Sequence, residues 1–484
     1  RNINIKCDLI MKSSNAIAYQ DGLDILVCKI IIWEPSDKQV IDISDPDENK
    51  CLVLRECQSI EIEESYKKLI GTASVRFPRG TVIKRTVTAN GIEEDGVTSI
   101  YTERLNDGAI IEKRPGYSVA QPKDFKVGQR IRIYLGYYRD KGKIFANEKA
   151  RQQEMEKEAL GHAPNFDGYI VKCGVSTPIE IKCESVASNL KRKTCPNILI
   201  NNATISDLLK AGGKYDLLKG TGLELHPDTL KEEINIGKIQ LSDDLTIADV
   251  LTEWGKYGLY CFLCYDNDKP YIKVGMPFSK NKNMLIENDS EPSMGTLIQF
   301  NYHVANDNLT LMNVDPAYLA VSAEGFRMEG KKQIKYSITI RLNPEWTGSS
   351  DTEHKKFQLL NETKLSTKAM KLGAVTKSKS RDRVDLSKYT VIPYISRKIG
   401  VTESELVQEA EEYFENYNRN GVDGTLVIFG DLNIKAAAKV ELLDFREPEK
   451  NGWYRVEEVN TKFGVSGFRQ TLKLPYCIAK PEKE

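Results

Sequence analysis

Cys261 and Cys264, in the stretch YCFLCY, have a spacing that can hold a metal ion when both thiolates converge on it. The surrounding residues read as a strand, where positions i and i+3 point to opposite faces, so this pair does not converge. No second Cys-x-x-Cys and no His-x-x-x-His accompanies it. Both thiols are expected to be buried as small hydrophobes. The four histidines, His162, His226, His303 and His354, form no ligand spacing with one another. His162 and His354 lie in polar stretches and are expected in solvent, and His303 is expected to be partly buried.

The acidic pairs Glu61/Glu63 and Glu93/Glu94 could imitate the two carboxylates of a glycosidase. In a chain with 69 acidic residues such pairs are frequent, and a solvated surface is the better reading. GVSGF at Gly464 lacks the spacing of a Gly-x-Ser-x-Gly nucleophile elbow. Neither of the common glycine-rich nucleotide loops is present. The basic clusters Lys191-Arg192-Lys193 and Lys377–Arg383 are the candidates for nucleic-acid contact. They carry no interleaved aromatics to stack bases, so a solvated face or a subunit contact is expected, with no specific nucleic acid bound. The residues therefore point to a non-enzymatic protein, with no catalytic, cofactor-binding or metal-binding position assigned and no cofactor.

The elements that carry these residues are mostly strands. The 484 residues suffice for two to four domains. Lys plus Arg (69) balances Asp plus Glu (69), which favours neither a polyphosphate nor a membrane surface as partner. The longest apolar run, ILVCKIIIW, is interrupted by Lys29 and is too short to span a bilayer, so no membrane insertion is expected. RNINIKCDLIMKSS has no apolar signal core, and export by a cleaved signal peptide is not expected. The ten cysteines have no regular spacing and are expected to be reduced thiols.

DILVCKIIIW, SIEIEES, LIGTASVRFP and GQRIRIYLGYY read as strands, and Gly80 to Pro122 as an extended hairpin or surface loop. The polar insert 146–165 is expected to be an exposed helix ending at Gly161. Helices are predicted over 204–212 and 246–257, each opened by a threonine N-cap with aspartate three residues on, and over 402–420, opened by Thr402 and Glu405. Between and after them come a hairpin from YCFLCYD to KPYIKVG, a polar linker over 376–388, and strands including GTLVIFGD, AAKVELLDF, WYRVEEVNT and FRQTLKLPY.

Two regions share one plan. FKVGQRIRIYLGYY, an insert and FDGYIVKCGVSTPIEIKC match LNIKAAAKVELLDF, a short loop and NGWYRVEEVNTKFGVSGFRQTLKL. Each has an amphipathic strand, a polar excursion, an Asp-Gly or Asn-Gly turn followed by an aromatic, a valine-bearing strand, a second turn and a final alternating strand. Gly168 and Gly452 are expected at positive φ.

These patterns, with GTASVRFPRG near the start and the capped TISDLL, resemble the hub proteins of contractile phage tails, the late control gene D proteins, and the N-terminal part of the type VI secretion spike protein. The resemblance implies an α+β, mainly β fold with two similar β-barrel-like domains and interposed α/β domains. On that basis residues 1–177 form the first barrel with its insert, 178–330 a middle α/β region, and 331–484 the linker, a helix and the second barrel, with discontinuous domains allowed. It further implies a structural baseplate hub that forms a homotrimer and joins a sixfold tail tube to a threefold spike, contacting other baseplate subunits in a virion tail or phage-like particle made in the bacterial cytoplasm. A duplicated domain lets a threefold object present sixfold contacts. PYCIAKPEKE carries no OB-like, lysozyme-like or needle-repeat module, so the spike is expected to be a separate protein. The alternatives are a hub of a non-contractile tail and a tail-associated cell-wall or glycan hydrolase.

Overall fold

The computed structural model describes residues 23–34, 51–78, 80–84, 101–104, 110–113, 117–140, 145, 147–161, 163–231, 234–255, 258–266, 269–275, 296–312, 316–329, 332–346, 356–366, 370–371, 385–399, 401–417, 421–475 and 477–479. Strands dominate and helices are few, the mainly β class that the sequence predicts.

Eleven strands form one sheet. In chain order they are β1 (Leu23–Trp33), β2 (Leu52–Leu54), β3 (Ser59–Ser65), β4 (Lys68–Phe77), β5 (Arg130–Asp140), β6 (Phe166–Cys173), β7 (Ile179–Ser185), β8 (Val304–Met312), β9 (Gly421–Phe429), β10 (Glu458–Gly464) and β11 (Gly467–Leu474). In space they run β8-β9-β11-β10-β3-β4-β7-β6-β5-β1-β2, every neighbour antiparallel. Alternation in the sequence explains the burial. In β5, Ile131, Ile133 and Leu135 enter one core with Ile30, Val75, Phe77 and Ile181, while Tyr134 and Tyr138 pack on the other face.

The duplicated plan is realised as a duplicated strand order. β5 pairs with the first part of β6, β6 with β7, β7 with β4, and β4 with β3. In the second copy Lys439–Leu443 pairs with Gly452–Arg455, β10 with β11, β11 with β9, and β9 with β8. Where β6 is one strand with a register shift between Ile170 and Lys172, the second copy breaks into Gly452–Arg455 and β10. The two glycines at the mouths of these strands have different causes. Gly452 has φ 152°, as predicted, whereas Gly168 is not at positive φ. A Cβ on Gly168 would lie 2.1 Å from the Glu184 carbonyl oxygen, so close strand approach selects glycine there.

The first copy is strongly curled. Only Arg55–Gln58 separate the end of β2 from the start of β3, yet β2 and β3 are six positions apart in the sheet. Six spacings of ~4.8 Å in a flat sheet give ~29 Å, beyond the ~18 Å that five extended residue steps can reach. Neither copy closes into a barrel through a strand ladder among the described residues. The edge of β3 that could complete the first copy is paired instead with β10 of the second, from Ser59↔Gly464 to Ser65↔Glu458. The first copy's strands run through Ser185 and the second copy's begin at Val304.

The polar insert forms helix α1 (Glu148–Ala159), with the Asn147 side chain accepting from Ala150 N–H. It is not a free helix. Ala159 and Leu160 pack with Val27, Ile31, Tyr134 and Tyr138, and Glu156 pairs with Lys29 and Arg55. Gly136 lets the helix end in: a Cβ there would lie 2.0 Å from the Ala159 carbonyl oxygen. Within the Gly80–Pro122 stretch, Val82–Lys84 pairs with Tyr117–Val119 and Tyr101–Arg104 with Ile110–Lys113.

Residues between β7 and β8 and between β8 and β9 build the α/β part. It contains α2 (Ile205–Leu209), α3 (Ile247–Trp254), α4 (Glu403–Tyr417) and a four-stranded sheet of Leu319–Glu329, Lys332–Leu342, Phe357–Ser366 and Thr390–Ile399. Thr204 accepts from Asp207 N–H, and Thr246/Asp249 and Thr402/Glu405 form reciprocal capping boxes. One core joins these elements, with Leu208, Trp254, Val321 and Phe414 buried together.

Candidate assembly surface

Among the described residues, the side chains whose types could do chemistry do not meet. Cys261 faces the core of the α/β part, while Cys264 and Phe262 face Tyr66 and Ala437 on the opposite side of their strand. Burial pushes the Cys261 thiol well above its ordinary value, which suits an inert interior thiol. His226 accepts the Asp228 backbone N–H on Nδ1 (3.2 Å), and His303 accepts the Gln299 N–H on Nδ1 (3.0 Å). His303 is half-buried, and burial lowers its pKa despite the opposing charge of Asp431. His162, His354, Glu93/Glu94 and Lys377–Arg383 lie outside the described residues. Among the described residues no cluster of His, Cys, Asp or Glu is placed to hold a metal ion.

Lys191-Arg192-Lys193 is engaged within the chain. Lys191 pairs with Glu184 at 2.9 Å, Arg192 lies over the Tyr169 ring, and Lys193 Nζ donates to the carbonyls of Leu217 and Lys219. Glu61 and Glu63 sit on the outer face of the β10–β3 seam, where Lys462 Nζ lies 3.3 Å from Glu61 and Asn460 donates to Glu61 at 3.4 Å. This face carries a depression of about 630 Å³ lined by Glu61, Glu63, Arg76, Glu180, Lys182 and Lys462, with Arg76 and Glu180 paired at 3.1 Å. Its mixed charges are neutralised across neighbouring strands.

What the topology does bring together is a pair of turns and a pair of edges. From β10 through β3, β4 and β7 to β6 each step is antiparallel, so β10 and β6 run in the same direction. The turns that follow them therefore lie at one end of the sheet. Both turns open with Gly-Val-Ser, and Val175 and Val465 are 88% and 98% exposed. Four strand spacings separate them, at most about 19 Å in a sheet that curls. The α/β core attaches at the other end, through Leu69 and Tyr169 near the starts of β4 and β6 and Val186 just after β7. These two exposed valines are marked in the sequence only by the repeated Gly-Val-Ser, since their exposure depends on the turns that carry them.

The edges follow the same logic. β10 receives β3 along the edge that does not face β11. The corresponding part of β6, Val171–Cys173, has no strand on that side among the described residues, and Val171 and Lys172 are exposed. β8, which corresponds to β3, ends the sheet, with Ala305, Asn306, Asn308, Thr310 and Leu311 exposed.

The buried polar group that positions the first copy is Asp167. Its carboxylate receives Arg130 at 2.6 Å and Arg132 at 3.0 Å with no side-chain exposure, and the Tyr265 hydroxyl reaches its carbonyl at 3.5 Å. This ties the sheet to the α/β part. In the second copy Glu457 joins Lys67 (2.6 Å) from the β3–β4 turn to Lys473 (2.8 Å).

No family model matches the sequence, and no curated protein matches it. Solved structures that the chain is similar to include the 43 kDa tail protein of prophage MuSo2 from Shewanella oneidensis (10% identity, 92% of this chain and 98% of that one, TM-score 0.45). A second is a tail protein from Neisseria meningitidis MC58 (9% identity, 93% and 96% covered, TM-score 0.43). A third is the E. coli c3393 protein, described as a type VI secretion component similar to the T4 tail proteins gp27 and gp5 (7% identity, 89% and 76% covered, TM-score 0.37).

Proposed function

We propose that this chain is a structural, non-enzymatic hub subunit of a phage tail or phage-like contractile injection system, three copies of which form a ring. The observation that carries the reading is the duplicated strand order whose two copies are joined edge to edge inside one chain, by β10 against β3. The seam leaves the equivalent edges, Val171–Cys173 of β6 and the outer side of β8, without strand partners among the described residues. Repeating the seam between molecules sets β6 of one copy against β8 of the next. That contact is heterologous, so it ends in a closed ring when the rotation per unit divides a full turn. With two units per chain, three chains give a pseudo-sixfold ring in which eight strands of each chain contribute to one continuous wall.

In this arrangement the Val175 and Val465 turns form a sixfold circle at one end, suited to a tail tube. The α/β parts form a threefold set at the other, suited to seating a spike and to contacting other baseplate subunits. Each copy then behaves as a barrel-like domain completed by its neighbours, and the domains are discontinuous in sequence. The particle is assembled in the bacterial cytoplasm and carries the chain in its tail baseplate.

The test is the mass of the purified chain with and without tube and spike proteins, followed by electron microscopy of the particle. A trimer placed at the tube–spike junction is expected. A chain that remains monomeric or dimeric with both partners present, or that sits elsewhere in the particle, overturns the reading.

A further inference from the structure

The gap in the curl of the first copy holds two thiols. Cys28 lies in β1, 5% exposed, and its Sγ is 3.8 Å from Cys57 Sγ. Cys57 is half-buried in the irregular Arg55–Gln58 segment that crosses from β2 to β3. The β1–β2 ladder ends at Ile30↔Leu54, and the irregular segment that follows it brings Cys57 beside Cys28. Cys28 Sγ also donates to the Arg55 carbonyl at 3.2 Å, which holds it against the crossing segment. The two thiols are unequal. The sulfur contact with Cys28 lowers the Cys57 pKa against the effect of burial, while Cys28 is pushed well up by that same contact and by burial. A sulfur–sulfur bond is ~2.05 Å long, and Arg55–Cys57, which lie outside the strand ladders, can supply the remaining approach.

We propose that Cys28 and Cys57 are a reversible disulfide clasp, formed by exchange with a low-molecular-weight disulfide. The Cys57 thiolate attacks one sulfur of the small disulfide, whose S–S bond breaks and releases one small thiolate. Cys28, deprotonated, then attacks Cys57 Sγ in the mixed disulfide and expels the second small thiolate. Two protein thiols are oxidised, one small disulfide is reduced to two thiols, and the two protons from Cys28 and Cys57 end on those thiols. Cys57 is the entry point because it is the accessible member, and Cys28 resolves because it is buried beside it. The bond ties β1 to the chain entering β3, and so fixes the curl next to the strand that makes the seam. Nothing in this chemistry depends on the hub reading. For a particle that leaves the cell after assembly, the clasp would close once the reducing cytoplasm is left behind.

The full-length chain is incubated with oxidised glutathione at neutral pH, alkylated, digested and mapped by mass spectrometry, with melting followed in parallel. The expected result is a Cys28–Cys57 cross-linked peptide, loss of two titratable thiols, and a rise in Tm on the order of 5 °C that dithiothreitol reverses. Cys57→Ser should abolish the link and the rise, and Cys173→Ser should leave both. A Cys57 that keeps a stable glutathione adduct without forming the link overturns the proposal. So does a folded chain in which neither thiol reacts, or one in which Cys57 links to a different cysteine. The peptide map of the unsubstituted chain decides this even if a variant folds poorly.

Discussion

The two copies of the strand plan solve the same positioning problem with different chemistry. In the first, the residue before the strand-mouth glycine is Asp167, fully buried and held by two arginines. In the second it is Asn451, whose side-chain oxygen accepts the Asp444 backbone N–H at 2.6 Å. The first is covered by the 12-residue helix α1 and by β1 antiparallel to β5; the second has the short turn Pro448–Lys450, the parallel strand Thr296–Gln299 and the strand Cys477–Ala479 beside Gly452–Arg455. Strand order is the same in both while the side chains that secure it differ. Pairing order depends on alternation and turn position, which many residues satisfy, whereas a buried charge demands its own partners.

The comparison is tested most severely at the two turns. If the copies present equivalent contacts, Val175→Asp and Val465→Asp should each weaken assembly with the tube protein, and the double variant should abolish it. Both positions are exposed, so folding stability should change by no more than about 0.5 kcal/mol. Loss from one turn and none from the other, in a co-sedimentation assay, would break the equivalence.

Asp167→Ala should cost about 3–5 kcal/mol in denaturant unfolding, because it leaves two largely buried guanidinium groups without their anion. Asn451→Ala, at the matched position, should cost about 1 kcal/mol, the worth of one neutral hydrogen bond. Equal costs would show that the two copies are secured in the same way after all.

Glu457 sharpens the comparison at the seam. Burial raises its pKa, but the hydrogen bonds from Lys473 and Lys67 outweigh burial and hold it below the ordinary 4.5. A carboxylate depressed in the folded state contributes stability that is present above its unfolded pKa. That stability is lost as pH falls through about 4.5 and on past the folded value. Glu457→Gln should therefore lower stability by about 1–2 kcal/mol at pH 7, with both lysines partly exposed. The difference from the parent chain should shrink as pH falls below 4.5 and through the lower folded value. A difference that persists in acid would assign the effect to packing.

The smallest effect is expected on the outer face. Glu61→Lys opposite Lys462 should cost less than about 1 kcal/mol, and Lys462→Glu in the same chain should restore it, as for exposed cross-strand pairs.

Much of this architecture was legible in the sequence. The caps at Thr204, Thr246 and Thr402 are local, with donor and acceptor three residues apart, and they form as predicted. The opposite orientation of Cys261 and Cys264 follows from the period of a strand. The duplicated plan was visible because turns and alternation survive when side chains diverge. The exposed helix predicted for the insert was misjudged, since its polar composition did not reveal that Ala159 and Leu160 would find Tyr134 and Tyr138.

Sequence alone thus determined the periods, the caps and the repeat, which are interactions between near neighbours. Tertiary structure decided the rest: that β3 pairs with a strand some four hundred residues away (Glu61↔Lys462), that Lys191–Lys193 is engaged internally, and that the two valine turns share one end. An edge strand offers the same row of N–H and C=O groups to any partner, so its own residues cannot name the one it meets.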